Sequence, residues 1–257
     1  MRKIFFKFIF LLLVAGACGA GWFYREQIIA LAESTPGPDH EPRATPDPET
    51  YTTLSNDLEE HRQRLSQRYL QAADNPERSE ILGEARSLLE ESLPRLMRCW
   101  LGTPWDFNGT AHEPGRGKVA CGYFVSSVLQ DAGFRVEWAR LAQQASQNIL
   151  GTFVPREEMN FLVGVPYHEF LAAVESSGSG IYIVGLDSHV AFLVVTAQGE
   201  IRFIHSSGTS PYCVVDESQD DAHVLRSSNY RVTGNLTASG EVVRSWLLGT
   251  EFKTQTL

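Results

Sequence analysis

Residues 119–134 read VACGYFVSSVLQDAGF, and the place of their cysteine decides how the rest of the chain folds around it. Counting from Cys121, the apolar residues Phe124, Val125, Val128, Leu129 and Ala132 recur at i+3, i+4, i+7, i+8 and i+11, and Gly133 ends the run. That is the period of an amphipathic helix closed by a glycine stop. Cys121 therefore starts the helix, on its buried face. The preceding residues 108–118, NGTAHEPGRGK, are turn formers, so the helix rises from a loop and its first N–H groups have no partner within the helix.

Those free N–H groups and the positive end of the helix dipole favour a thiolate. The same donors can hold an oxyanion. A buried cysteine is also commonly just a small packing residue, so the helix by itself leaves both roles open.

A base has to come from elsewhere. Residues 181–206, IYIVGLDSHVAFLVVTAQGEIRFIHS, read as apolar strands broken at 185–188 and again at 197–199. His189 starts the second strand and His205 ends the third. A hairpin turning about Ala197 sets position 189 opposite 205, with both imidazoles on one face. A single histidine at a strand end is usually structural, but two placed to touch can act together. His189 then takes the thiol proton, and His205 fixes its tautomer and orientation.

Between helix and strands, residues 138–150, WARLAQQASQNIL, carry Trp138, Leu141, Ala145 and Ile149 at roughly helical spacing. Residues 166–180, PYHEFLAAVESSGSG, give a short helix and a turn. Asn108, Gln143 and Gln144 are candidate polar contacts in a cleft. His112 and His168 are bystanders. Beyond His205, Tyr230 to Val232 are expected as an edge strand, and Ser239 as the cap of a helix bearing Val242, Val243, Trp246 and Leu247.

Upstream, Leu54, Leu58, Leu65 and Tyr69 mark one amphipathic helix, broken at Asn75-Pro76. Ser79, Leu82, Leu88 and Leu89 begin a second, which Pro94 either kinks or ends in favour of a third. Residues 33–49, ESTPGPDHEPRATPDPE, hold five of the twelve prolines and no large apolar residue, as an extended spacer does. The chain opens with Arg2, Lys3 and Lys7, runs uncharged from Phe8 to Tyr24 and closes that run on Trp22, Phe23 and Tyr24. Such a segment targets a membrane, with its basic end held in the cytoplasm. An uncleaved anchor, a lipoprotein processed at AGAC (15–18) and a cleaved signal peptide all export the remainder of the chain. The expected organisation is an anchor or signal segment over 1–25, a linker over 26–50, a helical extension over 51–93 and a main domain over 94–257.

A net charge of −9 and the lack of any Lys/Arg cluster exclude a nucleic-acid partner. No Cys-x-x-Cys or His-x-x-x-His spacing supports a metal, and no glycine-rich loop supports a nucleotide cofactor. Cys99 and Cys213 are free to pair in an oxidising compartment, although no feature of the sequence fixes their separation.

Four blocks carry a resemblance: WLGTPWDFNG (100–109), ACGYFVSSVLQDAGF (120–134), SHVAFLVV (188–195) and RFIHSS (202–207). In order and content they resemble the NlpC-like cell-wall peptidases, a branch of the papain-like cysteine peptidases. Those enzymes have a Gly-Thr-Pro-Tyr turn, an Asp-Cys-Ser-Gly helix start, a Gly-His-Val strand and a strand ending in Ile-His. The likeness spans about 86–207. It implies an α+β, papain-like NlpC-type fold in which N-terminal helices pack on a small antiparallel β-sheet. It also implies Cys121 as nucleophile, His189 as base and His205 as the orienting residue. The implied reaction is cleavage of an amide bond in peptidoglycan or a related peptide, outside the membrane that the N-terminal segment engages. Acyl transfer through the same thioester is an alternative, as is a non-catalytic envelope protein that binds a partner through 51–93. Trp105, Asn108, Gly122, Tyr123 and Gln144 are the candidate substrate contacts. Ala120 and Gly122 replace the family's Asp and Ser, which help bind the free amine of a stem peptide, and Trp105 replaces its Tyr and lacks the hydroxyl.

Overall fold

The computed structural model describes residues 44–256. The membrane segment expected over 1–25 and most of the proline spacer lie outside the described residues. From Ala44 onward the chain packs as one compact unit.

Two long helices come first. Helix α1 (Pro48–Gln71) opens on Asp47, whose carboxylate accepts from Thr50 N–H, and has proline in its first turn, where a missing N–H costs nothing. Helix α2 (Asn75–Cys99) repeats the device with Asp74, which accepts from Glu77 N–H at 3.0 Å. Glu77 in turn accepts from Ala73 N–H at 2.8 Å. Pro94 lies buried inside α2, which runs unbroken to Cys99, so of the two expectations for this proline a separate third helix is not realised. Leu58, Leu65, Ile81, Leu89 and Leu93 share a core with Phe124, Val128 and Trp246. The segment 51–93 and the residues after it are thus parts of one hydrophobic interior.

Helix α3 (Cys121–Asp131) packs against these two, and its inner face is almost wholly buried. A chain of edge-to-face aromatic contacts, Tyr51 to Trp100, Trp100 to Phe124 and Phe124 to Phe192, has centroids 5.8, 5.8 and 5.9 Å apart. It ties α1, α2 and α3 to the sheet. The stretch expected as one helix over 138–150 is two, α4 (Trp138–Ala142) and α5 (Ser146–Phe153), with the glutamine-rich link 143–145 breaking between them.

The sheet has six strands in the order β1 (Asn160–Val163), β6 (Tyr230–Asn235), β2 (Gly180–Leu186), β3 (Val190–Val195), β4 (Ile201–Ser206) and β5 (Val214–Ser218). Every pairing is antiparallel. With eight α-helices among the described residues, the fold is α+β. Tyr230 to Val232 do not form an edge, because the short and largely exposed β1 pairs outside β6. Strands β2 and β3 read as unbroken apolar runs because both faces are covered. Val190, Phe192 and Val194 face the α1–α3 core. Ala191, Leu193 and Val195 face a second core under α6 (Tyr167–Ser176) and α7 (His223–Ser227). Helix α8 (Gly240–Leu247) closes the first core with Val242, Val243, Trp246 and Leu247, and Ser239 stands at its N-cap position without making a side-chain cap bond.

Candidate active site

Local rules place the thiol. Ala120 sits at the N-cap of α3 in extended conformation and offers no capping side chain. The first helical bond is Phe124 N–H to the Ala120 carbonyl at 2.9 Å. The N–H groups of Cys121, Gly122 and Tyr123 therefore face out of the helix start, which a Ser or Asp cap would have covered in part. The loop feeding α3 is pinned by Val119 N–H to Pro104 O and Ala120 N–H to Gly109 O, both 2.9 Å. Ser206 Oγ at the end of β4 donates to Val119 O at 2.7 Å. The strand carrying His205 thus fixes the position of the loop carrying Cys121.

The two histidines do meet, by a different register from the expected one. The β3–β4 ladder pairs Val195 with Ile201 and Phe192 with Ile204, so the turn centres on Gln198, closed by Thr196 N–H to Glu200 O at 2.9 Å. One further step of that register sets Ala191 across from His205. His189 is the diagonal neighbour, two residues away on the same face, and its imidazole spans the diagonal. His189 Nε2 and His205 Nδ1 are 2.8 Å apart.

A third residue, with no signal of its own in the sequence, completes a line. His205 is fully buried, and its Nε2 lies 3.1 Å from Glu217 Oε2. Strand β5 pairs Val215 with His205, so Glu217 is again a same-face diagonal neighbour. Glu217 was readable only as the alternate residue of a strand beside His205, and that strand needed the topology to be found. A carboxylate only accepts, so His205 Nε2 carries the proton and its Nδ1 is the acceptor. His189 then donates from Nε2 to His205. Its Nδ1, which has no hydrogen-bond partner among the described residues, keeps a lone pair for the cleft. The line Glu217, His205, His189 fixes the tautomer that a base for Cys121 requires.

Electrostatics set the resting state. Burial pushes the Cys121 thiol up from its ordinary value, against the pull of the Val190, Gly122 and Cys121 N–H groups. Burial, with positive charge on His205 as the second cause, draws the His189 imidazole down to about 3. A neutral thiol thus faces a neutral imidazole, and among the described residues no direct hydrogen bond joins them.

Cys121 and His189 line one cleft of about 730 Å3 together with Trp105, Asn108, Gly122, Tyr123 and Gln144. The structure thus brings every candidate contact to the same opening, with Gln143 beside them. Gly122 has a steric cause: a Cβ there would lie 2.1 Å from the Ala142 carbonyl oxygen, so α4 crosses the start of α3 only because residue 122 has no side chain. Trp105 closes over Gly208 in the same way, with a Cβ-to-ring approach of 3.0 Å. Tyr123 OH accepts from Gln143 Nε2 at 2.9 Å. His112 stacks near Trp138 and meets Gln130 Oε1 at 3.0 Å, and His168 is exposed on α6, so neither belongs to the cleft. Cys99 keeps a free thiol, so it forms no bridge to Cys213.

No family model matches this chain, and no curated protein or solved structure matches it significantly.

Proposed function

We propose that the protein is a cysteine hydrolase that cleaves an amide bond through a thioester, with a papain-like, NlpC-type arrangement of Cys121, His189 and His205. The single observation that carries this reading is the oriented line from Glu217 through His205 to His189, which ends on a free imidazole nitrogen in the cleft that Cys121 also lines. A structural histidine pair has no need of an unpaired imidazole nitrogen on a residue that lines a cleft together with a thiol.

In the reaction, His189 Nδ1 takes the proton from Cys121 Sγ as sulfur attacks the substrate carbonyl carbon. The carbonyl oxygen becomes an oxyanion, held by the free N–H groups at the start of α3. The C–N bond then breaks, and His189 returns its proton to the departing amine. Water attacks the thioester, gives up a proton to His189, and releases the carboxylic acid and the thiol. Peptides of the cell envelope are the proposed substrates, and the segment 1–25 the proposed tether on the outer side of a membrane.

The test is digestion of muropeptides by the full-length chain, with products followed by mass spectrometry. Wild type releases a new amine and acid pair, whereas Cys121→Ala releases none and His189→Ala is slowed by about 10³-fold or more. Turnover that survives Cys121→Ala would remove the thiol from the mechanism.

A further inference from the structure

The cleft has an unusual charge distribution. Among its lining residues no Asp, Glu, Lys or Arg occurs, and His189 and Cys121 are the sole titratable groups apart from the Tyr123 hydroxyl. Three aromatic rings line the cleft, those of Trp105, Phe107 and Tyr123. Phe107 is 80% exposed, and Tyr212, 58% exposed though not itself in the lining, has its ring 6.4 Å from that of Trp105. Large rings left in water at the mouth of a cleft mark a surface that an apolar or ring-bearing group covers.

A smaller cavity of about 260 Å3 adjoins the first and shares Cys121, His189 and Gln144 with it. It does contain a carboxylate, Asp187. That group is already engaged by three donors: Ser228 Oγ at 2.5 Å, Asn229 N–H at 2.8 Å and Tyr230 N–H at 3.1 Å. Asp187 is not among the residues of the main cleft, whose lining therefore offers polar groups but no charged side chain to offset the desolvation of a charged group next to the scissile bond.

Resting on the hydrolase reading, we infer that the acyl half of the substrate is uncharged beside the scissile carbonyl: its amine is blocked by acylation or by a further peptide bond, and its side chain is apolar or ring-bearing. A free α-ammonium group in this position would lose water and gain no counter-charge. An acylated one loses little and stacks on Trp105 and Phe107.

The experiment uses two peptidyl vinyl sulfones of identical side chain, N-acetyl-phenylalanyl and phenylalanyl with a free α-amine. Each is incubated with the full-length protein, and adducts at Cys121 are quantified by mass spectrometry. The acetylated probe is expected to react at least about tenfold faster at pH 6. The gap should narrow as pH rises past the α-amine pKa of about 8, where the amine loses its charge. Gln144→Glu, which adds a carboxylate bordering both cavities, should narrow the gap at pH 6 and leave the acetylated probe ahead by less. Equal rates at pH 6, or faster reaction of the free amine, would overturn the substrate inference while leaving the thiol chemistry standing. Failure of both probes to label Cys121, with iodoacetamide still labelling it, would overturn the hydrolase reading and this inference with it.

Discussion

In the proposed mechanism, Glu217 is the residue on which the direction of the proton path depends. If it were an amide, it could donate as well as accept, and the adjoining His205 could present Nδ1–H instead of a lone pair toward His189. We therefore expect Glu217→Gln to lower turnover by about a hundredfold or more with little change in KM. The corresponding signature in ¹⁵N–¹H correlation spectra is loss of the Nε2–H tautomer at His189. A purely structural Glu217 would alter stability and leave that tautomer in place. His189 also makes a pH prediction. Its native pKa of about 3 lies below the ordinary 6.5, so between those values the unfolded chain binds a proton that the native state does not. Stability should be full above pH 6.5 and decline as pH falls through that window, and His189→Gln should flatten the decline in urea melts followed from pH 7 to pH 4. Cys121, His189 and His205 were all legible from residue type and spacing. Glu217 was not, since it contributes only through its position two residues along a strand whose partner the sequence does not reveal.

At the scale of elements, the α3 helix and the β3–β4 hairpin could be read because their apolar periods are strong. The hairpin's centre could not, because residues 196–200 hold no two-residue turn signal and the loop is closed by Thr196 instead. The shift from Ala197 to Gln198 displaced the pairing by two residues, and an even displacement keeps side chains on the same face. That is why the two histidines still meet. Sequence alone also joined α4 to α5, and it missed β1, whose four residues are mostly exposed and carry little pattern. The crossing of α4 over α3 gives a sharp expectation. Gly122→Ala would drive a Cβ into the Ala142 backbone, costing about 1–3 kcal/mol in thermal denaturation and shifting the N–H groups proposed as oxyanion donors. Activity should fall by more than the loss of folded protein accounts for.

For the whole molecule, the first two helices belong to the body that presents the site, and their packing holds that body together. Arg62 on α1 shows how: it is 9% exposed, donates to the Trp246 and Leu247 carbonyls at 3.3 and 3.0 Å, and is paired with Glu59. These are the carbonyls at the end of α8, which α1 thereby caps from a distance. Arg62→Met should lose about 1–3 kcal/mol, a fall of several degrees in Tm, with kcat/KM unchanged in the folded fraction. Phe124→Ala, which breaks the aromatic chain between α2, α3 and β3, should cost about 3–5 kcal/mol. The α+β class could be read from helical stripes before apolar strands, but the core that α1 and α2 share with α3 could not, since nothing in a stripe says which other stripe it will face.

The central claim is that His189 serves Cys121 as a base along a path oriented by His205 and Glu217. Its most direct test is the pH profile of Cys121 acylation by an activated ester, mapped by peptide mass spectrometry in the full-length protein, for wild type and His189→Ala. Wild type should react readily at about pH 7, below the ordinary thiol value of 9.0, and His189→Ala only as pH approaches or passes that value. Coincident profiles, both rising only in alkali, would contradict the account.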